Sequence, residues 1–250
     1  MSRHEVIRFL LIRSLGNFLV LVALYGVALT FGPILLSQIK YELIQLRGIH
    51  FSVQSEKTLS ATGKQYYFSS ASATQKPVTH GQNSPGFADI LAGSKDQILT
   101  PIDPLFSILI PKLGIDEQVV PNVNPNNPRE YLPVLQHAVA HAKGSVLPGD
   151  PGTVYLFAHS AENWWDIEHY NAIFYTLSNL SLGDEIDVFY ENRRYTYVVT
   201  QQIISDPQDV TLLTSAHSGS QRLVLQTCWP PGTSWKRLYV IAVPKKSSAK

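Results

Sequence analysis

A strand, a proline-rich turn and a second strand near the C-terminus constrain the fold of this chain most strongly. The apolar run 223–228 ends at Cys228, and the Trp-Pro-Pro-Gly that follows forces the backbone out of a sheet, because proline cannot donate a ladder hydrogen bond. A second apolar run begins just after Arg237. The pattern predicts two neighbouring strands that hold the Cys228 thiol close to the Arg237 guanidinium.

Cys228 is the only cysteine among the 250 residues, so it cannot form a disulfide within the chain. An unpaired cysteine is most often a small buried hydrophobic residue, but here a histidine, His159, stands where another predicted strand ends. Acyl transfer from a peptide needs a nucleophile, a proton donor and a group that stabilises charge on the carbonyl oxygen. Cys228, His159 and Arg237 supply one of each, although singly His159 also fits a structural histidine and Arg237 a surface charge.

Three motifs, in this order, resemble the sortase family, the membrane-anchored cysteine transpeptidases of bacterial surfaces. Segment 141–149 resembles the family's His-x-x-Gly-Thr/Ser-x-x-Pro-Gly, and Ala158-His159-Ser160 resembles its Gly-His-Arg/Ser. Thr227-Cys228-x-Pro-x-Gly, with Arg237 following, resembles its Thr-Cys-x-Pro-x-Gly…Arg signature. The residues after the cysteine are closest to the class C, D or E type.

This resemblance implies roles for three residues: Cys228 as nucleophile, His159 as general acid and then base, and Arg237 as the cation that binds the substrate backbone or oxyanion. It implies cleavage of a Leu-Pro-x-Thr-Gly-like sorting motif of a surface protein after Thr. The acyl group is then held as a Cys228 thioester and passes to an amine of a cell-wall precursor or a pilin-like lysine. This chemistry requires no metal and no organic cofactor.

Candidate substrate contacts lie in three places: the residue before the cysteine, the first motif and the loop after His159. They are Thr227, His141, Gly144, Ser145 and Trp164. His141 equally fits a structural histidine. His137 and His141 are four residues apart, as zinc ligands on a helix can be, but Pro133 disfavours a helix there and the His-Glu-x-x-His pattern is missing.

The sequence is also compatible with two other functions. A membrane-tethered β domain that only binds peptides has no need for the full set of thiol, imidazole and guanidinium. A hydrolytic cysteine peptidase uses the same three groups, so the sequence does not separate hydrolysis from transfer. The net charge of +1 argues against binding of nucleic acid through phosphate neutralisation.

The N-terminal part predicts a membrane anchor. Residues 15–36 are uncharged and mostly apolar, and about 22 residues at ~1.5 Å each span the roughly 30 Å hydrocarbon core of a bilayer. We therefore expect a single transmembrane helix at 15–37. Because basic residues are more frequent before it than after it, segment 1–14 is predicted to be cytoplasmic and the catalytic part extracytoplasmic. A cleaved signal peptide is the alternative, but its apolar core is usually shorter.

The remainder divides into a polar segment and a β-rich domain. Residues 38–100 are rich in Ser, Thr and Gln and predict a stalk or linker, with an accessory segment or lid as the alternative. Residues 101–244 form short strand patterns, including a hairpin at 187–199, with a helix predicted at 172–180. The fold is therefore predicted as mainly β, a barrel or a sandwich, and the resemblance implies a closed sortase barrel. Residues 245–250 are predicted to be a flexible tail.

Overall fold

The computed structural model describes residues 3–53, 96–160, 172–214, 216, 219–231 and 233–246. Its helices are α1 (Arg3–Arg47), α2 (Pro128–Leu135) and α3 (Thr211–Thr214), with short 3-10 helices at Pro111–Leu113 and Leu177–Asn179. Its strands are β1 (His50–Val53), β2 (Asp96–Leu99), β3 (Phe106–Ile110), β4 (Ile115–Val123), β5 (Val139–Ala142), β6 (Thr153–Phe157), β7 (Glu185–Tyr190), β8 (Arg193–Ser205), β9 (Arg222–Trp229) and β10 (Lys236–Pro244).

Eight strands of the described chain close into a barrel, in the order β10-β8-β7-β3-β4-β5-β6-β9. Neighbours are antiparallel except for the parallel pairs β4–β5 and β6–β9. Fully buried side chains such as Ile108, Leu156, Leu225 and Val240 fill the interior. The predicted mainly β closed barrel is therefore confirmed.

The hairpin predicted at 187–199 is also confirmed, and its loop has only two residues. Tyr190 pairs with Arg193, so only Glu191 and Asn192 form the loop, and both have positive φ angles of 49° and 63°. Two-residue hairpin loops with positive φ at both positions match the twist of the flanking strands.

The α-helix predicted at 172–180 is wrong. This segment is a turn followed by the 3-10 helix Leu177–Asn179. Ile173, Leu177 and Leu180 are nevertheless buried in the barrel core. So short a segment has little intrinsic helix stability, and the Phe174 N–H is bonded to His159 O (3.0 Å) instead of to its own turn.

Helix α2 was not predicted, and it ends before both of the histidines that are four residues apart. Asn127 caps it by accepting a hydrogen bond from Arg129 N, and Pro128 takes the first turn, where no N–H is needed. His137 follows the end of this helix, whereas His141 lies on β5. The two imidazoles therefore share no helical face.

The described ends of segment 38–100 pack on the barrel. Ile44 and Ile49 are buried at the end of α1, and the Ile44 side chain lies beside Gly114 in the turn between β3 and β4. Strands β1 and β2 pair in parallel, and Phe51 and Leu99 cover the outer side of the barrel. Residues 54–95, the main part of the predicted stalk, lie outside the described residues.

Helix α1 contains a stretch able to cross a membrane by length and composition. This stretch is Ile7–Ala28, 22 residues with a mean hydropathy of 1.9, and none of its most apolar window is buried against the rest of the protein. An apolar N-terminal helix of this kind suggests a membrane anchor.

Asp116 is a buried carboxyl on β4. It is 1% exposed, its Oδ1 accepts a hydrogen bond from Ile102 N (3.0 Å), and its Oδ2 has no partner among the described residues. Burial therefore raises the pKa of Asp116 from 3.8 to about 6. Since the pKa is higher in the folded state, the carboxyl stabilises the fold below about pH 4, and this contribution is lost as the pH rises through about 6.

We expect Asp116→Asn to remove this pH dependence. The free energy of unfolding of the wild type relative to the variant should fall by about 2–3 kcal/mol between about pH 4 and pH 8, because only the wild type ionises at this position. Chemical denaturation of both proteins at both pH values measures this difference. The histidines titrate in both proteins and cancel in the comparison. A difference independent of pH would contradict the prediction.

Candidate active site

Alternation along three strands places Cys228, His159 and Arg237 on one face of the barrel. Successive strand residues point to opposite faces. On β6, β9 and β10, the residues that alternate with these three fill the barrel core: Leu156, Ala158, Leu223, Leu225, Leu238 and Val240. The residues on the same strand face as Cys228, His159 and Arg237 form a second cluster on the outer side of the barrel: Tyr155, Phe157, Val224, Tyr239 and Ile241.

Strand register brings the three residues into one row. Cys228 and Arg237 are directly paired between β9 and β10, which confirms the predicted neighbouring strands. The parallel β6–β9 ladder ends at Phe157 and Gln226, and hydrogen bonds then join Ala158 to Gln226 and Thr227, so the chain leaves β6 with His159 next to the end of β9. We call His159, Cys228 and Arg237 the site row.

Contacts within the site row join the guanidinium to the thiol. Arg237 Nη1 lies 3.5 Å from Cys228 Sγ. The same nitrogen donates to Ser234 O (3.3 Å) and Lys236 O (3.2 Å), carbonyls next to the start of β10. These contacts fix the guanidinium beside Cys228, which is partly exposed.

His159 lies two residues beyond the end of β6 and is partly buried. Its carbonyl oxygen accepts from Phe174 N (3.0 Å), which anchors the backbone at this point. Burial disfavours the charged imidazolium and lowers the pKa of His159 from its ordinary 6.5. The imidazole is therefore neutral at neutral pH, which suits it to accept a proton.

Thr227 is placed where it supports the site and does not face it. Its side chain is 2% exposed and points into the barrel, opposite to Cys228. Its hydroxyl donates to Ala158 O (3.0 Å), and Ala158 N donates to Gln226 O (3.2 Å). These two bonds tie the end of β6 to β9 next to Cys228. This position favours a structural role for the Thr227 side chain over the predicted substrate contact.

The candidate contacts His141, Gly144 and Ser145 are not brought to the site row. Strand β5 runs antiparallel to β6 with His141 opposite Leu156, so residues after His141 lie towards the other end of the barrel. His141 is fully buried: Nδ1 accepts from Asn122 N (3.3 Å), and Nε2 lies 3.0 Å from Val146 O and 2.9 Å from Ser145 Oγ. The structural alternative for His141 therefore fits this environment, and Trp164 lies outside the described residues.

The described N-terminal segments lie on the other side of the barrel. Phe51, Val53 and Leu99 pack on Leu109 of β3 and Phe189 of β7. In the closed strand order, β3 and β7 are separated from β6 and β9 by other strands on either side. The parts of segment 38–100 that the structure describes therefore do not cover the site row.

A second row of residues, which was not predicted, runs next to the site row. Gln226 pairs with Phe157 on one side and Tyr239 on the other. The signal for this row was present, since each member is two residues from a member of the site row and strand side chains repeat every two residues.

Comparison with known proteins identifies the family. A family model described as the sortase domain matches residues 108–245, which is more than half of the chain. Sortase D of Bacillus subtilis (strain 168) is 24% identical over 121 residues, 48% of this chain and 52% of that protein. The match thus spans about half the length of this curated relative.

Solved structures with a similar fold are also sortases. Sortase C1 from Streptococcus suis has 23% identity and a TM-score of 0.48, covering 58% of this chain and 74% of that one. A lid mutant of sortase A from Corynebacterium diphtheriae has 23% identity and a TM-score of 0.47, covering 58% and 71%. On the match of its family model, the chain belongs to the sortase family.

Proposed function

We propose that this chain is a sortase-type cysteine transpeptidase in which Cys228 is the nucleophile, His159 the proton carrier and Arg237 the oxyanion-binding cation. The observation that supports this proposal is the site row: Arg237 Nη1 lies 3.5 Å from the Cys228 sulfur, and His159 follows the end of β6, the strand that pairs with β9 on its other side. A nucleophile, a base and a fixed cation in one row are what acyl transfer needs.

In the first half-reaction, the neutral imidazole of His159 takes the thiol proton while Cys228 Sγ attacks the carbonyl carbon of the substrate. The carbonyl electrons move to oxygen, where the guanidinium of Arg237 stabilises the negative charge. When the oxyanion collapses, the carbon–nitrogen bond breaks and His159 gives its proton to the departing amine. The acyl group then remains on Cys228 as a thioester.

In the second half-reaction, an incoming amine attacks the thioester. Neutral His159 takes a proton from the amine as the new carbon–nitrogen bond forms, and the carbon–sulfur bond breaks. The sulfur leaves as a thiolate, which takes the proton back from His159. If water takes the place of the amine, the same steps give hydrolysis.

The substrates follow from the family. We propose a surface protein with a Leu-Pro-x-Thr-Gly-like sorting motif, cleaved after Thr, and an amine of a cell-wall precursor or a pilin-like lysine as acceptor. Helix α1 supports a cell-membrane location. The basic residues near its N-terminus support a cytoplasmic N-terminus and an extracytoplasmic barrel, with a single crossing.

Mass spectrometry of the full chain in detergent micelles tests the proposal. The protein is incubated with a library of Leu-Pro-x-Thr-Gly-like peptides, with and without amine acceptors such as triglycine. We expect an acyl adduct on Cys228 that disappears when the acceptor is added, together with a peptide–acceptor product. Cys228→Ala should give neither.

The other outcomes separate the alternative functions. Hydrolysed peptide with every acceptor would favour a cysteine peptidase. Peptide binding without an adduct on Cys228 would favour a binding domain and overturn the proposed chemistry.

The pH dependence of acylation follows from the burial of His159. Because the first step uses the neutral imidazole and burial lowers the pKa of His159 below 6.5, the neutral base persists to lower pH than in an exposed histidine. We expect kcat/KM for acylation to fall on the acidic side with a midpoint below pH 6.5. An acidic limb centred at or above pH 6.5 would contradict the neutral-base assignment.

A further inference from the structure

The row of residues next to the site row lies on the outer face of the barrel, one step along the strands from Cys228. Phe157, Gln226 and Tyr239 are paired side by side and point to the same face as the site row. We call these three residues the floor row. In the other direction β9 ends at Trp229, one residue past the cysteine. An extended peptide that reaches Cys228 along β9 therefore crosses the floor row.

Two elements flank the floor row. On one side, the Tyr131 ring of α2 contacts the Phe157 ring edge to face, with centroids 6.3 Å apart. On the other side, the Tyr239 hydroxyl donates to Asp209 O (3.0 Å), and Leu212 of α3 packs on the same apolar cluster. The floor row is thus the base of a path with α2 on one side and residues 209–213 on the other.

Gln226 is the polar and more exposed member of this otherwise apolar floor. Phe157 is 8% and Tyr239 is 3% exposed, whereas Gln226 is only partly buried. Its Oε1 accepts a hydrogen bond from the Tyr155 hydroxyl. Burial, with a further contribution from Tyr239, raises the pKa of Tyr155 above its usual range, so this hydroxyl stays a donor.

The bond from Tyr155 is made to the oxygen end of the Gln226 amide. The Nε2 group carries two donors that this bond does not use. Within the described part of the chain, the bond from Tyr155 is the only hydrogen bond of this side chain. The partly exposed Gln226 therefore offers N–H donors two residues from the proposed nucleophile.

We propose that Gln226 is a specificity-determining residue whose Nε2 donates to the main-chain carbonyl oxygen of the substrate residue two positions before the acylated one. Residues 226 and 228 are about 6.6 Å apart along the strand, and an extended peptide repeats at the same interval. In a Leu-Pro-x-Thr-Gly-like motif with Thr acylated, this residue is the proline. Its carbonyl is a natural partner, since proline has an acceptor but no N–H. The assignment rests on the transpeptidase function proposed above.

The test pairs a change in the enzyme with a change in the substrate. The peptide that the wild type acylates fastest is compared with an analogue whose proline carbonyl is a thiocarbonyl, a poor hydrogen-bond acceptor. For the wild type, we expect the analogue to lower kcat/KM by roughly three- to tenfold, mainly through KM, which is what one hydrogen bond contributes. For Gln226→Met, both peptides should react at the same reduced rate.

Two further variants keep the result interpretable. Gln226→Glu retains an acceptor for Tyr155 but lacks the donor, so it should also lose discrimination between the two peptides. It serves as the test variant if Gln226→Met disturbs folding. Gln118→Met changes an exposed glutamine on β4, away from the site row, and should discriminate like the wild type. Alkylation of Cys228 by iodoacetamide should proceed at the wild-type rate in Gln226→Met.

The possible failures are distinct. If the wild type forms no Cys228 adduct with any peptide, the proposed function fails and this assignment fails with it. If the wild type acylates and the thiocarbonyl costs the same factor in wild type and Gln226→Met, only the assignment of Gln226 is overturned.

Discussion

Cys228→Ser is expected to lower peptide acylation by at least about 10³-fold, because removal of a nucleophile is among the most damaging changes to a covalent enzyme. Serine keeps the size and position of the side chain beside Arg237. Its hydroxyl, however, ionises far less readily than a thiol, and the ionised form is the nucleophile. Quenched-flow assays of peptide cleavage, with mass spectrometry of the protein, measure this loss.

The single cysteine makes the control for this variant direct. Iodoacetamide should add one group to the wild type and none to Cys228→Ser, since the sequence contains no other cysteine. Circular dichroism should be unchanged, because Cys228 contributes no packing to the barrel interior. Retention of more than a tenth of the wild-type rate would exclude Cys228 as the nucleophile.

The closeness of Cys228 and Arg237 could be predicted from sequence because the information is local. A short turn joins the two strands, and two prolines and a glycine in it mark where one strand ends. The structure pairs the two residues directly. Within such a hairpin, register follows from the length of the turn, so a nine-residue separation is enough to place thiol and guanidinium together.

The place of His159 depends on pairing that the local sequence does not specify. Strand β6 lies beside β9, parallel to it, although about 70 residues separate Phe157 from Gln226. Without the family motif, nothing in segment 153–159 indicates this neighbour. The same kind of non-local pairing sets the position of His141: β5 runs antiparallel to β6, and this direction sends the residues after His141 away from the site row.

Thr227 illustrates a different limit. A motif of adjacent residues suggests a common role, but neighbours on a strand point to opposite faces. Cys228 faces outward, so the Thr227 side chain must face the core, where its hydroxyl bonds to Ala158 O. Gln226, two residues before the cysteine, is the neighbour that shares its face. Strict use of the two-residue period would have grouped Gln226, and not Thr227, with Cys228.

The second large effect is expected for Arg237→Lys, which should lower kcat/KM for acylation by about 10²-fold, the loss seen when one oxyanion donor is removed. Lysine keeps the positive charge but replaces a planar fork of donors with a point charge on a flexible stem. In the wild type, one guanidinium nitrogen is held by Ser234 O, Lys236 O and the Cys228 sulfur, which leaves the others to meet a substrate oxygen.

A matched arginine separates this role from a general effect of the substitution. Arg193 also lies at the start of a strand, is exposed and stacks over the Tyr195 ring, far from Cys228. Arg193→Lys should therefore acylate at the wild-type rate. Because a neutral alkylating reagent needs the thiolate but no oxyanion site, Arg237→Lys should slow iodoacetamide labelling much less than peptide acylation. Equal losses in both reactions would show that Arg237 acts on the sulfur alone and would remove it from the oxyanion role.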